Sequence, residues 1–402
     1  MHATGKFIIL SSVLVMYLFY YPELYAQAHW CGTDTNFDFA PIRVENKYPS
    51  MLESRSTLFL PVVVHILWNQ AVENLSDSQI MWQIERLNID FNSTNSFNTS
   101  IPKEFRKTIG SPGIRFCLSS IDPEGKPTKG ISRTHTSHPF IGSKKNNQNK
   151  FSIHSSADGG KDPWNTDLYI NIWVGKLENQ YGRSSIAGVV KNKNEDGIVI
   201  DPSVFNADPF HNLKGRTLVH EMGHYLGLQH LWGQNVGDCN EDDDIDDTPM
   251  QSAPYFDCPS HPQKSCNTNN MFMNYMDFVA DECMHFFTKG QSEKMVFSVM
   301  SLRSKLLNSP AIRCASDLKS PLLESFQVVV NGERISIRSP TLLSGPVNYL
   351  VCNTMGQVLQ TGTLYILSQT EVFIKNWPQG IYFLYFRYNK EHRVIKIMKQ
   401  SK

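Results

Sequence analysis

Apolar and polar positions fall into distinct periodic blocks along this chain. "LFLPVVVHIL" (Leu58 to Leu67) is an almost unbroken β-rich apolar run, which predicts a buried strand interrupted near its start by Pro61. "SDSQIMWQIERLNIDFNS" follows, opening on the N-cap candidate Ser76. Its apolar residues Ile80, Ile84, Leu87 and Phe91 recur every three or four positions, so the spacing predicts an amphipathic helix. "GIRFCLSSID" predicts a second strand and "DLYINIWVGKL" (Asp167 to Leu177) a third, with Leu168, Ile170, Ile172 and Val174 on one parity and Tyr169 and Trp173 on the other. "IAGVV" and "GIVIDPSVF" predict short further strands. "GRTLVHEMGHYLGL" has the helical period, with apolar Leu218, Val219, Met222 and Leu226. From Trp232 to about Phe287 the chain is rich in Asp, Asn, Pro and Cys and predicts loops. "TKGQSEKMVFSVMSLRSKLL" predicts a last helix. Strands, then a helix, then loops and a helix describe an α+β unit over residues 57–312.

The pattern changes after about residue 315. "FQVVVNGERISIRS", "PVNYLVCNTMGQVLQTGTL" and "IYFLYFRYNKEHRVIKIMK" alternate between turns of Gly, Asn and Pro, predicting a separate small β-sandwich over residues 320–402. At the other end, Lys6, the apolar run Phe7 to Tyr21 and the small-x-small site Ala26 to Ala28 predict a secretory signal peptide over residues 1–28. Residues 29–56 are polar and irregular, as in a pro-segment. No other stretch is long and apolar enough to cross a bilayer.

Composition adds little but excludes something. The 402 residues are 41% hydrophobic, enough for a real core, and 38 basic residues balance 38 acidic ones. Nothing in that balance points to nucleic acid. Eight cysteines suit an exported chain whose thiols pair. Four of them, Cys239, Cys258, Cys266 and Cys283, cluster without C-x-x-C spacing, and three pairings are open to them. Asn-x-Ser/Thr triplets occur at Asn74, Asn92 and Asn98.

The candidate chemistry lies in "HEMGHYLGLQH", His220 to His230. On a helix, positions i and i+4 share a face, so His220 and His224 point the same way. Glu221 lies about 100° further round, outside the ligand set yet beside it, where it can take a proton from a metal-bound water. Gly227 can take the left-handed conformation that ends a helix, letting His230 return to the metal. Three imidazoles and a water make an open zinc site. Further on, Met276 in "NNMFMNYMDF" reads on its own as a core residue, but after the long histidine motif, which zinc proteases follow with a methionine turn beneath the metal, the turn is the expectation. "DCNEDDDIDDTP" gathers carboxylates of the kind calcium selects.

With "LPVVVHILW", "LNIDFNSTN", "LYINIWV", "GRTLVHEMGHYLGLQHLWG", "DDIDDTPMQ", "NYMDF" and "CMHFFTKGQSEKM", the chain resembles the pappalysin family of metzincin zinc endopeptidases, its ulilysin-like members in particular, over residues 29–300. The resemblance implies a metzincin-type fold with a twisted mixed sheet, an active-site helix and a disulfide-stapled lower subdomain. It implies zinc on His220, His224 and His230, Glu221 as general base, and Met276 as the Met-turn residue. It also implies the pairs Cys239–Cys266 and Cys258–Cys283, and calcium at Asp243, Thr248 and the carbonyl of Asp246. The implied activity is hydrolysis of protein or peptide substrates by Glu221-assisted attack of a zinc-bound water.

Three positions modify that picture. Many relatives carry Tyr two residues after the Met-turn Met, where this chain has Phe278 and no hydroxyl. Glu282, just before Cys283, would favour a basic residue after the scissile bond. Cys31 in "HWCGTD" resembles a cysteine switch holding the zymogen latent, with a disulfide to Cys117, Cys314 or Cys352 as the alternative, and Arg55 marks a candidate activation site. The tail, with "GQV", "PQGIY" and a basic last strand, resembles the sorting domain of the type IX secretion system, which implies export across the outer membrane. A catalytically silent surface adhesin is the competing reading; the intact histidines and Glu221 speak against it, and Phe278 is the one feature that leans its way.

Overall fold

The computed structural model of the chain describes residues 29–33, 57–92, 101–190, 192–205, 207–208, 213–311, 326–338, 346–353, 358–364, 369–374, 377–388 and 391–399. The expected signal peptide, Arg55, Asn98 and Cys314 lie outside them.

Seven strands form one sheet: β1 (His29–Cys31), β2 (Leu58–Trp68), β3 (Ile114–Leu118), β4 (Ile131–His135), β5 (Ile170–Val174), β6 (Gln180–Ser184) and β7 (Ile198–Ile200), in the order β1-β6-β7-β5-β2-β3 with β4 also on β2. The long strand β2 organises it. β5 pairs parallel along one edge; along the other, β3 pairs with Leu58 to Val62 and β4 with Val64 to Trp68. β7 is parallel to β5, whereas β6 runs antiparallel to β7. The sheet is therefore mixed only at the edge where the candidate chemistry lies.

The apolar monotony of β2 follows from covering on both faces. Leu60, Val62, Val64 and Ile66 point into the main core with Ile80, Ile84, Leu87 and Phe91 of α1 (Asp77–Phe91) and Leu218, Val219 and Met222 of α2 (Thr217–Tyr225). On the opposite face Leu67 joins Ile141, Ile153, Trp173, Leu177 and Val199. Helix α1 begins where the spacing predicts: Ser76 accepts from the backbone N–H of Gln79, whose side chain returns to the N-cap, a capping box.

Two expectations need correction, and strand β6 is unexpected. "IAGVV" is not a strand; Ala187 to Val189 turn, with Gly188 at φ 85°. The strand is instead the preceding segment Gln180–Ser184, between β1 and β7, which lacks alternation because its glycine and arginine serve the site. The last helix is shorter than expected. Helix α3 (Lys289–Phe297) passes into a π turn over Ser298–Leu302 and then a 3₁₀ turn over Ser304–Asn308. That widening brings Arg303 back against the end of α2. Strands β1 and β4 are too short and too polar to show a period.

Residues from Trp232 to Phe287 are almost wholly irregular. They are stapled by Cys239–Cys266 and Cys258–Cys283, each with Cα atoms less than 6 Å apart, at 5.4 and 5.7 Å. After residue 326 a second core forms from Phe326, Ile335, Ile337, Val347, Val351, Val372, Leu384, Phe386 and others. It lies in a β-sandwich: one sheet of Gln327–Asn331, Arg334–Arg338 and Gln369–Phe373, and one of Val358–Leu364, Val347–Asn353, Gly380–Tyr388 and Glu391–Lys399. The fold class is α+β followed by a sandwich, as expected from the sequence.

Candidate metal centre

Helix α2 presents His220 and His224 on one face, and its end is built to bring a third imidazole back. Gly227 takes φ 93°, and the Leu228 N–H bonds back to the Gly223 carbonyl at 3.0 Å, closing the helix with a left-handed cap. The chain reverses, and His230 returns. Nε2 of His220 and Nε2 of His230 each lie 3.1 Å from Nε2 of His224. Three ligand nitrogens about 2.1 Å from one tetrahedral ion would stand roughly 3.4 Å apart, so the spacing is that of a shared metal.

The other ring nitrogens fix the orientation. Nδ1 of His220 donates to the Tyr275 carbonyl and Nδ1 of His224 to the Leu228 carbonyl, both at 2.8 Å. Each ring is thereby turned with Nε2 free to ligate. All three rings are buried; desolvation pulls His220 down to about 4 and lowers His224 and His230 further, so the rings are neutral, the ligating form.

Met276 lies beneath the helix. A Cβ placed on Gly223 would come 2.5 Å from the Met276 sulfur, so the thioether occupies the hollow that Gly223 leaves between the two helical histidines. The turn carrying it is held by Asn274, whose Oδ1 accepts from the Met276 N–H at 2.9 Å. Phe278 closes the other side, its ring centroid 4.9 Å from His230 and 5.6 Å from His220. The position flagged by the sequence is thus at the metal centre, and it is apolar.

Glu221 is fully buried against β6. A Cβ on Gly182 would meet its Cγ at 2.8 Å and Oε1 at 2.9 Å, so glycine there lets the carboxylate lie on the strand. Burial pushes its carboxyl up to about 7, with hydrogen bonds from Thr33 and Cys31 and the charge of Arg183 pulling the other way.

Cys31 is a free cysteine, and its Sγ groups with His220, His224 and His230, all four ligand atoms lying within 4.8 Å of one another. Its alternatives are closed: Cys117 is disulfide-bonded elsewhere and Cys31 is not. β1 carries it there by parallel pairing with β6, Cys31 opposite Gly182. Sequence reading did not single out Thr33, Gly182 or Gly223. The first stood in the quoted "HWCGTD" and the last inside the histidine motif, but only the fold shows what they touch.

Among the acidic residues, Asp243 is buried, and Oδ1 accepts from the Thr248 hydroxyl at 2.6 Å while Oδ2 has no partner. Burial raises its carboxyl to about 8. A carboxylate oxygen buried with nothing to bind suits a hard cation. Asp246 is exposed at the same turn. Glu282 is exposed too, with Oε1 3.5 Å from Cys258 Sγ.

The family described as Peptidase_M43, pregnancy-associated plasma protein-A, matches residues 154–300. Extracellular metalloproteases of Arthroderma benhamiae and Trichophyton verrucosum are each 40% identical over 106 residues, 25% of this chain. The match spans 35% of those curated relatives. Mature mirolysin of Tannerella forsythia, solved in complex with a cleaved peptide, is 38% identical with a TM-score of 0.58 over 63% of this chain and 97% of its own. A promirolysin mutant from the same organism is 37% identical with the same TM-score, over 63% of this chain and 85% of its own. The fold of residues up to about 311 is thus the mixed-sheet metzincin arrangement of mirolysin.

Proposed function

The chain belongs to the Peptidase_M43 family of pregnancy-associated plasma protein-A, and from that premise we propose that it is a secreted zinc endopeptidase made as a latent precursor. The observation that carries the reading is the convergence of His220, His224 and His230 at Nε2 with Glu221 beside them. When bound there, zinc supplies a charge that polarises a peptide carbonyl and acidifies a water. Glu221 takes the proton of the attacking water and passes it to the leaving amine, a role its raised carboxyl suits. Tyr275 and Leu228 carbonyls hold the rings. Phe278 supplies no hydroxyl, so this chain has one donor fewer than a tyrosine would give the developing oxyanion.

Latency falls to Cys31, whose sulfur would fill the position that a water needs. Asp243, with Thr248 and the Asp246 carbonyl, would bind calcium and pin the stapled loop. Glu282 would attract a basic residue after the scissile bond. The terminal sandwich would be the address for type IX export. Mirolysin's structure with a cleaved peptide and the extracellular fungal relatives support a secreted peptide hydrolase.

The test is cleavage of casein and of an Arg-rich peptide by the processed protein, with and without a zinc chelator, beside Glu221→Ala. Loss of a general base should cost roughly 10²–10⁴ in kcat. Equal inertness of wild type and variant after processing rejects the reading.

A further inference from the structure

Glu221 and the backbone N–H of Ser184 face one point beside the metal centre, and a hydroxyl fills it. Oγ1 of Thr33 donates to Glu221 Oε2 at 2.8 Å and accepts from the Ser184 N–H at 2.9 Å. The Thr33 side chain is buried, 8% exposed, and Glu221 is fully buried. Ser184 ends strand β6, and Gly182, two residues earlier, leaves room for the carboxylate. We propose that Glu221 and the Ser184 N–H form a hydroxyl-binding subsite separate from the metal, and that Thr33 occupies it as a second lock on the latent chain. The proposal rests on the protease reading for its consequence, latency, but not for its geometry.

A hydroxyl offers one donor and two acceptor lone pairs. Here the donor meets the carboxylate and a lone pair meets the amide, the polarity this subsite demands. The segment entering it is rigid: β1 is paired along β6, and the Gly32 N–H donates to the Gly182 carbonyl at 2.8 Å. The Gln180 side chain lies across Gly32, its Oε1 1.5 Å from where a Cβ would stand, so a larger residue there would have to displace that side chain. The Thr33 N–H in turn lies 3.3 Å from Cys31 Sγ. Cys31, Gly32 and Thr33 thus form one unit: the thiol faces the histidines, the glycine passes β6, and the hydroxyl holds the general base. Oε1 of Glu221 is buried without a hydrogen-bond partner, so with the thiol alone both carboxylate oxygens would lack a side-chain hydroxyl donor beneath the segment, which favours the open state. The Thr33 hydroxyl satisfies Oε2 and so lowers that cost. It also withdraws the base from any water that enters while the thiol is briefly off the metal.

The experiment uses the full chain treated with chelator, so that no autolysis intervenes. Alkylation of Cys31 by iodoacetamide, followed by peptide mass spectrometry, reports how often the segment opens. Thr33→Val, which keeps the shape and loses the hydroxyl, should alkylate about tenfold faster than wild type, the effect of one hydrogen bond to a charged group. Thr33→Ser, which keeps the hydroxyl, should stay within about twofold. Thermal unfolding of each variant verifies folding. Restored to zinc, Thr33→Val should also shorten the lag before activity appears. Equal alkylation of Thr33→Val and wild type overturns the proposal, as does fast alkylation of Thr33→Ser. If the processed wild type cleaves nothing, the protease reading fails while the alkylation rates still decide the subsite.

Discussion

The sulfur of Met276 sits where a methyl on Gly223 would be, 2.5 Å from the position of that Cβ. Gly223 lies between the two helical histidines, and Met276 is fully buried, so each dictates the size of the other. Gly223→Ala adds helix propensity worth less than about 1 kcal/mol. It also forces the thioether out of a filled space, at about 1–3 kcal/mol. The variant should be less stable than wild type. In the double variant Gly223→Ala/Met276→Ala the new methyl meets a vacated space, so the combined loss in urea midpoint should be smaller than the sum of the single losses. Additive losses would show that the two do not touch.

Arg303 ties the end of α2 to the loop before β7. Its guanidinium meets both Asp196 oxygens at 2.9 Å, stacks 3.6 Å over the Tyr225 ring, and donates through Nε to the Tyr225 carbonyl at 3.1 Å. Both charges are buried. Arg303→Met strands Asp196 in the interior, and a loss of about 3–5 kcal/mol is expected by denaturant unfolding. Arg303→Met/Asp196→Leu should recover most of it, because the desolvation of both ions disappears with them. A single variant within about 1 kcal/mol of wild type would remove the pair as the anchor.

Periodicity disclosed what periodicity can carry. β2, α1 and α2 announce themselves because one or both of their faces are apolar, and the ligand triad is legible because helix geometry turns spacing into direction. Strand β6 is silent: "QYGRS" alternates nothing, since Gly182 is chosen to fit Glu221 and Arg183 buries its charge behind it. The same holds for Thr33, whose role depends on a pairing between residues 151 positions apart in the chain. Fixed-spacing chemistry is local and can be read; close approaches between distant segments are not.

Acid sensitivity should arise partly at His65. Its ring is buried in β2, with Nδ1 2.7 Å from the Ser132 hydroxyl and Nε2 3.0 Å from Asn171 Oδ1. Desolvation pulls it down to about 4, and Lys161 lowers it further against the favourable Asn171 contact. Between about 6.5 and 4 the unfolded chain binds this proton and the folded chain does not, so stability falls as pH falls through that window. The full effect is about 3 kcal/mol. Burial also holds His154 well below its ordinary value, with the Arg183 charge adding to it, so His154 contributes in the same direction. His65→Leu should be less stable at neutral pH, yet lose about one proton of pH dependence between pH 6.5 and 4. An unchanged slope in the pH series of urea midpoints would place the acid sensitivity elsewhere.

Calcium should act through Asp243. The buried Oδ2 without a partner and the carboxyl raised to about 8 both describe a group paying for burial with no counter-charge in contact. Lys294 is the nearest relief, but its ammonium donates to the Asp243 backbone carbonyl at 3.1 Å rather than to the carboxylate. A bound cation would reverse the balance, stabilising the folded chain by RT ln(1 + [Ca]/Kd), or about 2.7 kcal/mol at a hundredfold excess over Kd. Millimolar calcium should therefore raise the unfolding temperature of the processed wild type by several degrees, and EGTA should reverse the rise. Asp243→Asn removes the charge that draws the ion while relieving the buried carboxylate, so this variant should match or exceed wild type in EGTA and gain nothing from calcium. Thr248→Val should weaken the response without abolishing it, because the hydroxyl both orients Oδ1 and offers its own oxygen. A wild type whose melting ignores both calcium and EGTA would leave Asp243 a neutral acid hydrogen-bonded to Thr248, with the stapled loop held by its two disulfides and the core beneath them.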